Sequence, residues 1–307
     1  MCSALVVLGG AVSCEKEESV VDFPTVGPLT FSGTYDLYFH GSQGWVEEDR
    51  LGIFVTSDGL TQSNLEYAPV EFSILEESEY VPGFFLYGDP VPTTTFKAVA
   101  GEVGFKKGLH YVYAYTPYDA ASLDYKTVKL PDLAVQEYSS AIYRPEFKYG
   151  FAHAKLTWPI KKYTPEATSF GSFVSPYTQI TIPSPQIKNK ELFKGGEKIE
   201  KIVLSSTIDL AVTDATINLE SGVVKGNFQK SIEISFEKAE AKVDYSDFLG
   251  ASFPTFYLVT SADPAEALTA EYTLTAVVDG KEYSSKGVPS KMATADNINL
   301  WNSFTIE

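Results

Sequence analysis

The chain has few of the residues that carry most protein chemistry. Cysteine occurs only at Cys2 and Cys14, histidine only at His40, His110 and His153, and arginine only at Arg50 and Arg144. Because both cysteines fall within the first stretch of the chain, everything after them can form no disulfide and offers no thiol nucleophile. The histidines are scattered, without zinc-site spacing and without an HExxH pair, so each reads as an ordinary strand or loop residue. No GxSxG elbow marks a serine nucleophile and no DxDxDG loop marks a calcium site. GSQG and KGGEK read as hairpin-type turns, with no following helix to hold a phosphate. Basic charge is also scarce, with 40 acidic against 24 basic residues and a net charge of −16, which excludes a nucleic-acid backbone as partner. Carboxylates are plentiful, but abundance does not make a catalytic pair. The expectation is a binding protein, not an enzyme, with no cofactor and no metal.

Long hydrophobic runs are missing too. The apolar stretch at residues 4–12 is far short of the roughly 20 residues a membrane-crossing helix needs, and it fits the core of a signal peptide. Gly9 and Gly10 weaken it as a strand, and the charges Glu15, Lys16, Glu17 and Glu18 follow at once. Ala11 and Ser13 stand just before Cys14, an arrangement that resembles a bacterial lipobox. In that motif the cysteine is acylated and becomes the first residue of the mature protein, so Cys14 is the expected lipidation site.

What the chain has in quantity is β pattern. Hydrophobic residues make up 44% and aromatics 14% of its 307 residues, enough for a sizeable core. Runs between turn signals alternate apolar with polar at period two. Tyr272, Leu274, Ala276 and Val278 share one face of EYTLTAVV, and Asp279-Gly280 then supplies the positive φ angles of a tight hairpin into KEYSSKGV. Ile232, Ile234 and Phe236 alternate in SIEISFEK, Ile217 and Leu219 in ATINLE, and Ile53 and Val55 in LGIFVTS. A second hairpin is expected around Ser221 and Gly222. The 17 prolines leave little room for helix, and short helical turns are expected only near residues 133–139 or 245–249.

The aromatic segments FFLYGD, HYVYAYTPYD and GTYDLYFHGSQGW admit two readings. They could be sugar-stacking platforms or they could fill strand cores; their alternation inside evident strands favours the core. The organisation expected is a leader and acidic tether at residues 1–18, one β-sandwich over 19–145 and another over 146–307. The two would be packed directly together, since no flexible linker separates them.

Four segments, in order, resemble the fimbrillin-like family of Bacteroidales-type surface proteins. WVEEDRLGIFVTS resembles that family's early strand, with Asp49, Arg50 and Gly52 matching. HYVYAYTPYDAAS resembles its Tyr-rich strand ending in Y-x-P-Y, here Tyr115, Pro117 and Tyr118. KLPDLAVQ resembles a Leu-Pro segment closing on Gln, here Leu130, Pro131 and Gln136. FKYGFAHAKLTWPI resembles the strand carrying His153, Lys155 and Leu156. The tract CEKEE is similar to the acidic signal that sends such lipoproteins to the outer face of the outer membrane.

The resemblance implies an all-β chain of two tandem transthyretin-like β-sandwich domains, mainly antiparallel. It implies an outer-membrane, surface-exposed lipoprotein acting in adhesion or fimbrial assembly, with the membrane and other fimbrial subunits as partners and no catalysis. In polymerising members an arginine-specific protease removes a first strand, and a strand from the next subunit fills the groove. Here the first arginine is Arg50, inside the family motif, which favours an anchor, tip or stand-alone adhesin over a stalk subunit. At the other end of the chain Ile298, Leu300, Phe304 and Ile306 alternate, and they could complete the chain's own sheet or pair with another subunit. A glycan-binding lipoprotein of a polysaccharide uptake system is the alternative reading, since it would share both leader and sandwiches.

Overall fold

The computed structural model describes residues 30–35, 45, 47, 49–57, 60–70, 80–81, 84–85, 93–100, 108–137, 149–160, 168–182, 186–187, 192–236, 240–246, 250–290, 297–300 and 305–306. Cys2, Cys14, the expected leader and tether at residues 1–18, and His40 lie outside them.

The first large element is a seven-stranded sheet. Its order is β10 (Ala152–Ile160), β7 (Gly108–Thr116), β2 (Leu51–Ser57), β3 (Leu60–Pro69), β6 (Thr93–Ala98), β1 (Thr30–Tyr35) and β11 (Thr168–Phe173). All neighbours are antiparallel except β1 and β11, which run parallel. The two outermost strands meet: His153 of β10 and Val174, just past β11, exchange main-chain hydrogen bonds of 2.8 and 2.9 Å. The sheet therefore curls around its own contents, among them Phe31, Trp45, Ile53, Tyr67, Phe96 and Phe173. Trp45 stands edge-on to Phe96 and Phe173 at 4.6 and 5.2 Å and donates its indole N–H to Gly33 O at 3.0 Å.

The second half builds several smaller sheets over one shared core. A six-stranded sheet runs β23 (Lys281–Gly287), β22 (Tyr272–Val278), β14 (Lys198–Ser206), β17 (Ser231–Ser235) and β9 (Val135–Glu137), with β18 (Ala241–Lys242) also on β14. Two three-stranded sheets accompany it: β16 (Val224–Gln229), β15 (Ala211–Ile217) and β8 (Val128–Lys129); and β21 (Phe256–Thr260), β12 (Thr178–Ile182) and β24 (Asn297–Asn299). Two-stranded pairs are β13 (Gln186–Ile187) with β25 (Thr305–Ile306) and β19 (Asp244–Ser246) with β20 (Gly250–Ser252); in the first half β4 (Tyr80–Val81) pairs with β5 (Phe84–Phe85). The chain is thus all-β and mainly antiparallel, as the alternating pattern predicts.

The Asp-Gly hairpin forms as read. β22 buries alternate residues from Tyr272 to Val278, and Asp279 and Gly280 take φ of 46° and 74° before β23 pairs back. The hairpin around Ser221 and Gly222 joins β15 to β16. Where the expected helical turns are described they are not helical: residues 135–137 form β9, held parallel to β17, and 244–246 form β19, while 138–139 and 247–249 lie outside the described residues. The one helix among the described residues, α1 (Pro264–Ala267), has its signal in the sequence: Asp263 Oδ1 accepts from Ala265 N and Glu266 N, and Pro264 occupies the first turn, where a missing N–H costs nothing.

Strands from either side of residue 145 share sheets. β10 and β11 complete the first sheet, while β8 and β9 join the sheets of the second half. The two halves meet across β2 and β7. Ile53, Val55, Val112 and Ala114 face the first core, and Phe54, Tyr113 and Tyr115 on the opposite face belong to the second.

Candidate functional site

The four segments singled out by sequence come together where the two halves join. On β2, Gly52 lies directly across from Tyr115 of β7, and the phenol ring covers it so closely that a Cβ there would sit 2.1 Å from the ring. Only glycine fits beneath this tyrosine. The ring is stacked in a row, 6.0 Å from Phe54 and 6.0 Å from Phe151. Its hydroxyl donates to Asp119 O at 3.0 Å and accepts from Asn64 Nδ2 at 2.7 Å. Burial raises its pKa, so it stays protonated as that donor.

The turn after β7 is fastened by the same groups. Asn64 Nδ2 also donates to Asp119 O and Ser122 O, at 2.9 and 3.2 Å. Asp119 accepts from Ala121 N and from the Ser122 hydroxyl, and Ser122 Oγ accepts from Lys129 N. Tyr118 N donates to Arg50 O at 3.0 Å, tying the Y-x-P-Y segment to the head of β2. Tyr113 stacks flat on Tyr125 at 4.5 Å, and its hydroxyl pKa is pushed up to about 12 by burial, reinforced by Glu220. Asn64 belongs to none of the segments singled out in the sequence, Ser122 only closes the Y-x-P-Y segment, and the role of both appears only once β3 lies beside the turn.

Arg50 is built into this junction. Its guanidinium donates to Glu47 O and Asp49 O, both at 2.7 Å, and its Nε lies 3.5 Å from Glu66. Gln136 is the other anchor, fully buried. Its amide donates to Val259 O at 2.6 Å and to Leu133 O at 3.2 Å, while its carbonyl accepts from Val259 N at 3.0 Å. One side chain thus substitutes for a strand, satisfying both main-chain groups of a β21 residue.

His153 lies on β10 at the rim of a cleft of about 250 Å³ that is also lined by Lys155, Phe170, Val174, Glu220 and Gly222. Its Nδ1 is buried without a hydrogen-bond partner, and burial lowers its pKa. Lys155 Nζ donates to Glu220 O at 3.3 Å across this cleft. His110 is placed on β7 opposite Trp158 of β10.

The C-terminal residues pair within the chain. Ile298 lies on β24, parallel to β12, and is fully buried; Leu300, 1% exposed, donates its N–H to Thr181 O. Ile306 lies on β25, parallel to β13. Phe304 and the lipidation candidate Cys14 fall outside the described residues. Of the aromatic segments, Trp45, Tyr113 and Tyr115 are buried, while Tyr111 is 37% exposed. Where these segments are described, their aromatics mainly fill cores, as their alternation predicts.

No family model and no curated protein matches the chain. Among solved structures it is similar to a candidate cell adhesion protein from Bacteroides ovatus, at 15% identity and a TM-score of 0.45 over 84% of this chain and 85% of that one. It is similar to a candidate cell adhesion protein from Parabacteroides distasonis, at 7% identity and a TM-score of 0.42 over 90% of each chain. A fimbrial assembly protein from Parabacteroides distasonis matches at 13% identity and a TM-score of 0.33, over 84% of this chain and 85% of that one.

Proposed function

We propose that the chain is a surface protein of the adhesion class that acts by binding and not by catalysis. More particularly, it is a fimbrillin-like lipoprotein held at the outer membrane by acyl chains on Cys14, serving as anchor, tip or stand-alone adhesin and not as a stalk subunit. The observation that carries this reading is the convergence of the four family-like segments on one junction. Arg50 and Gly52, Tyr115 and Tyr118, and His153 opposite Tyr115 each have a structural task there, and the third segment is tied to the same turn through Lys129 while its Gln136 anchors β9 to β21.

The stand-alone role is supported by the state of the first strand. β1 is seated between β6 and β11 with Phe31 fully buried, so this position in the sheet is already filled by the chain itself. Arg50, the first arginine, has its side chain folded onto its own turn and its carbonyl committed to Tyr118, a poor presentation for a protease. Backbone pairing along exposed edges remains available for contacts with other chains.

The test is made in the native host with the full-length gene. A radioactive fatty acid should label the protein, and Cys14→Ala should abolish the label; unchanged labelling sinks the anchor. Exposing the cells to an arginine-specific protease, followed by N-terminal sequencing, should find the bond after Arg50 intact. Cleavage there, with release of β1, would instead make the chain a stalk subunit. Cells lacking the gene should lose attachment or fimbriae, and an unaffected surface would remove the adhesion reading itself.

A further inference from the structure

Among the described residues of the second half, β16 is the barest strand. It forms the edge of the sheet β16-β15-β8, and among the described residues no strand pairs with its outer side. Residues 225–229 are all exposed, Phe228 by 46%, and the preceding Val223 by 51%. An unpaired edge is a template for another strand, and proteins usually blunt it with proline, a bulge or charge. β16 contains no proline, the irregularity in its pairing lies on β15 between Thr213 and Thr216, and its single charge is Lys225.

Two hydrogen bonds fix which groups point outward. Asn218 N donates to Val223 O at 3.0 Å, and Leu210 N donates to Gln229 O at 2.7 Å. Main-chain groups alternate in direction along a strand, so residues 223, 225, 227 and 229 face β15. The N–H and C=O groups of Val224, Gly226 and Phe228 therefore face away from it. Side chains alternate as well. Phe228 pairs with Val212 and Val224 with Ile217, both fully buried, so this apolar row runs one strand beyond the core it belongs to. On the other face Asn227 Nδ2 donates to Asp214 Oδ2 at 3.3 Å.

We infer that β16 pairs with β16 of a second copy of this chain, antiparallel, about a two-fold axis at Gly226. In this register Phe228 stands opposite the second copy's Val224, an aromatic residue against a β-branched one, which is a favourable cross-strand pair. Charge is complementary as well. Lys225 stands opposite the second copy's Asn227, whose side chain already reaches Asp214, so an ammonium group comes beside a carboxylate, twice by symmetry. A register centred on Lys225 would set the two lysines directly against each other, which is unfavourable. The outward groups of residues 224, 226 and 228 are the ones this register uses, and the sheet continues as β8-β15-β16 into β16-β15-β8 of the second copy. This inference goes beyond the adhesion reading and stands or falls without it.

Crosslinking tests both the contact and its register. In the full-length chain carrying Cys2→Ser and Cys14→Ser, Lys225→Cys and Asn227→Cys are made as separate variants. The register places residue 225 opposite residue 227 in a pair that exchanges no hydrogen bond, with Cα atoms about 4.5 Å apart, within disulfide reach. An oxidised mixture of the two variants should give covalent dimer, and each variant alone should not. Dimer from one variant alone, or none from the mixture at high micromolar concentration, overturns the inference. Sedimentation equilibrium on the chain without introduced cysteines gives a second readout. Phe228→Pro, which removes an outward N–H, and the exposed-site change Lys225→Glu should each weaken self-association by roughly tenfold while leaving the circular dichroism unchanged. A protein that stays monomeric at every concentration, as one built for a different partner would, also overturns it.

Discussion

Strands β2 and β16 are nearly the same length, seven and six residues, yet residues 51–55 of β2 are all buried and residues 225–229 of β16 are all exposed. Each carries a glycine that close approach requires. A Cβ on Gly52 would lie 2.1 Å from the Tyr115 ring, and one on Gly226 would lie 2.7 Å from Val212 Cγ2 and 2.8 Å from Thr213 O. What separates them is the freedom of the surroundings to move. β2 has neighbours in its own sheet on both sides and a core on each face, and Tyr115 is pinned by its hydroxyl. β16 has a neighbour on one side only, so it can lift away from β15.

That difference sets the size of the effects. Gly52→Ala should destabilise the protein by about 3 kcal/mol or more, because neither the ring nor the strand can give way without losing packing or hydrogen bonds. Gly226→Ala should cost only about 1–2 kcal/mol, since the edge strand can shift outward into water. Both are read from chemical denaturation of the full chain. Equal losses would show that the exposed ribbon is as firmly fixed as the junction.

Gln136→Leu falls between these two. It leaves the N–H and C=O of Val259 and the C=O of Leu133 without the partner that the amide supplies, in a fully buried place. Each orphaned group costs about 1–3 kcal/mol, and partial relaxation should bring the total to about 2–3 kcal/mol. A loss below that of Gly226→Ala would mean that water reaches Val259, and that the crossing from β9 to β21 is looser than the amide's three short hydrogen bonds imply.

How far these features could be read in the sequence depends on how local their causes are. The β22–β23 hairpin was legible because Asp279-Gly280 and the alternation of Tyr272 to Val278 lie side by side. The helix at Pro264 was equally local, with an Asp-Pro start, but at four residues it was too short for periodicity to reveal. Gly52, Tyr115 and Gln136 stood out only by family resemblance, and what each does depends on a residue far along the chain. Nothing in KLPDLAVQ points to Val259. Nor does the sequence show that β1 will lie parallel to β11, or that Ala152–Ile160 will extend the first sheet, since periodicity shows that a strand exists and not which strand it joins. For the same reason residues 133–139 read as a turn of helix: the strand geometry of 135–137 is imposed by β17.

His153 offers the smallest expected effect and the finest probe of the seam where β10 meets Val174. Its imidazole is partly buried, its Nδ1 has no hydrogen-bond partner, and burial lowers its pKa below the ordinary 6.5. The unfolded chain therefore takes up a proton at this position at a higher pH than the folded chain does. The contribution to stability is complete above about pH 6.5 and is lost progressively as the pH falls towards the folded-state value. His153→Gln removes the titration and keeps a polar side chain, so its denaturation midpoint should vary less than that of the unmodified protein between about pH 6.5 and pH 5, above the range where most carboxylates titrate. Every other group is common to both proteins and cancels in the difference. Parallel pH curves would mean that the imidazole is as well solvated in the fold as out of it, and that the closure of the first sheet leaves the cleft beside it open to water.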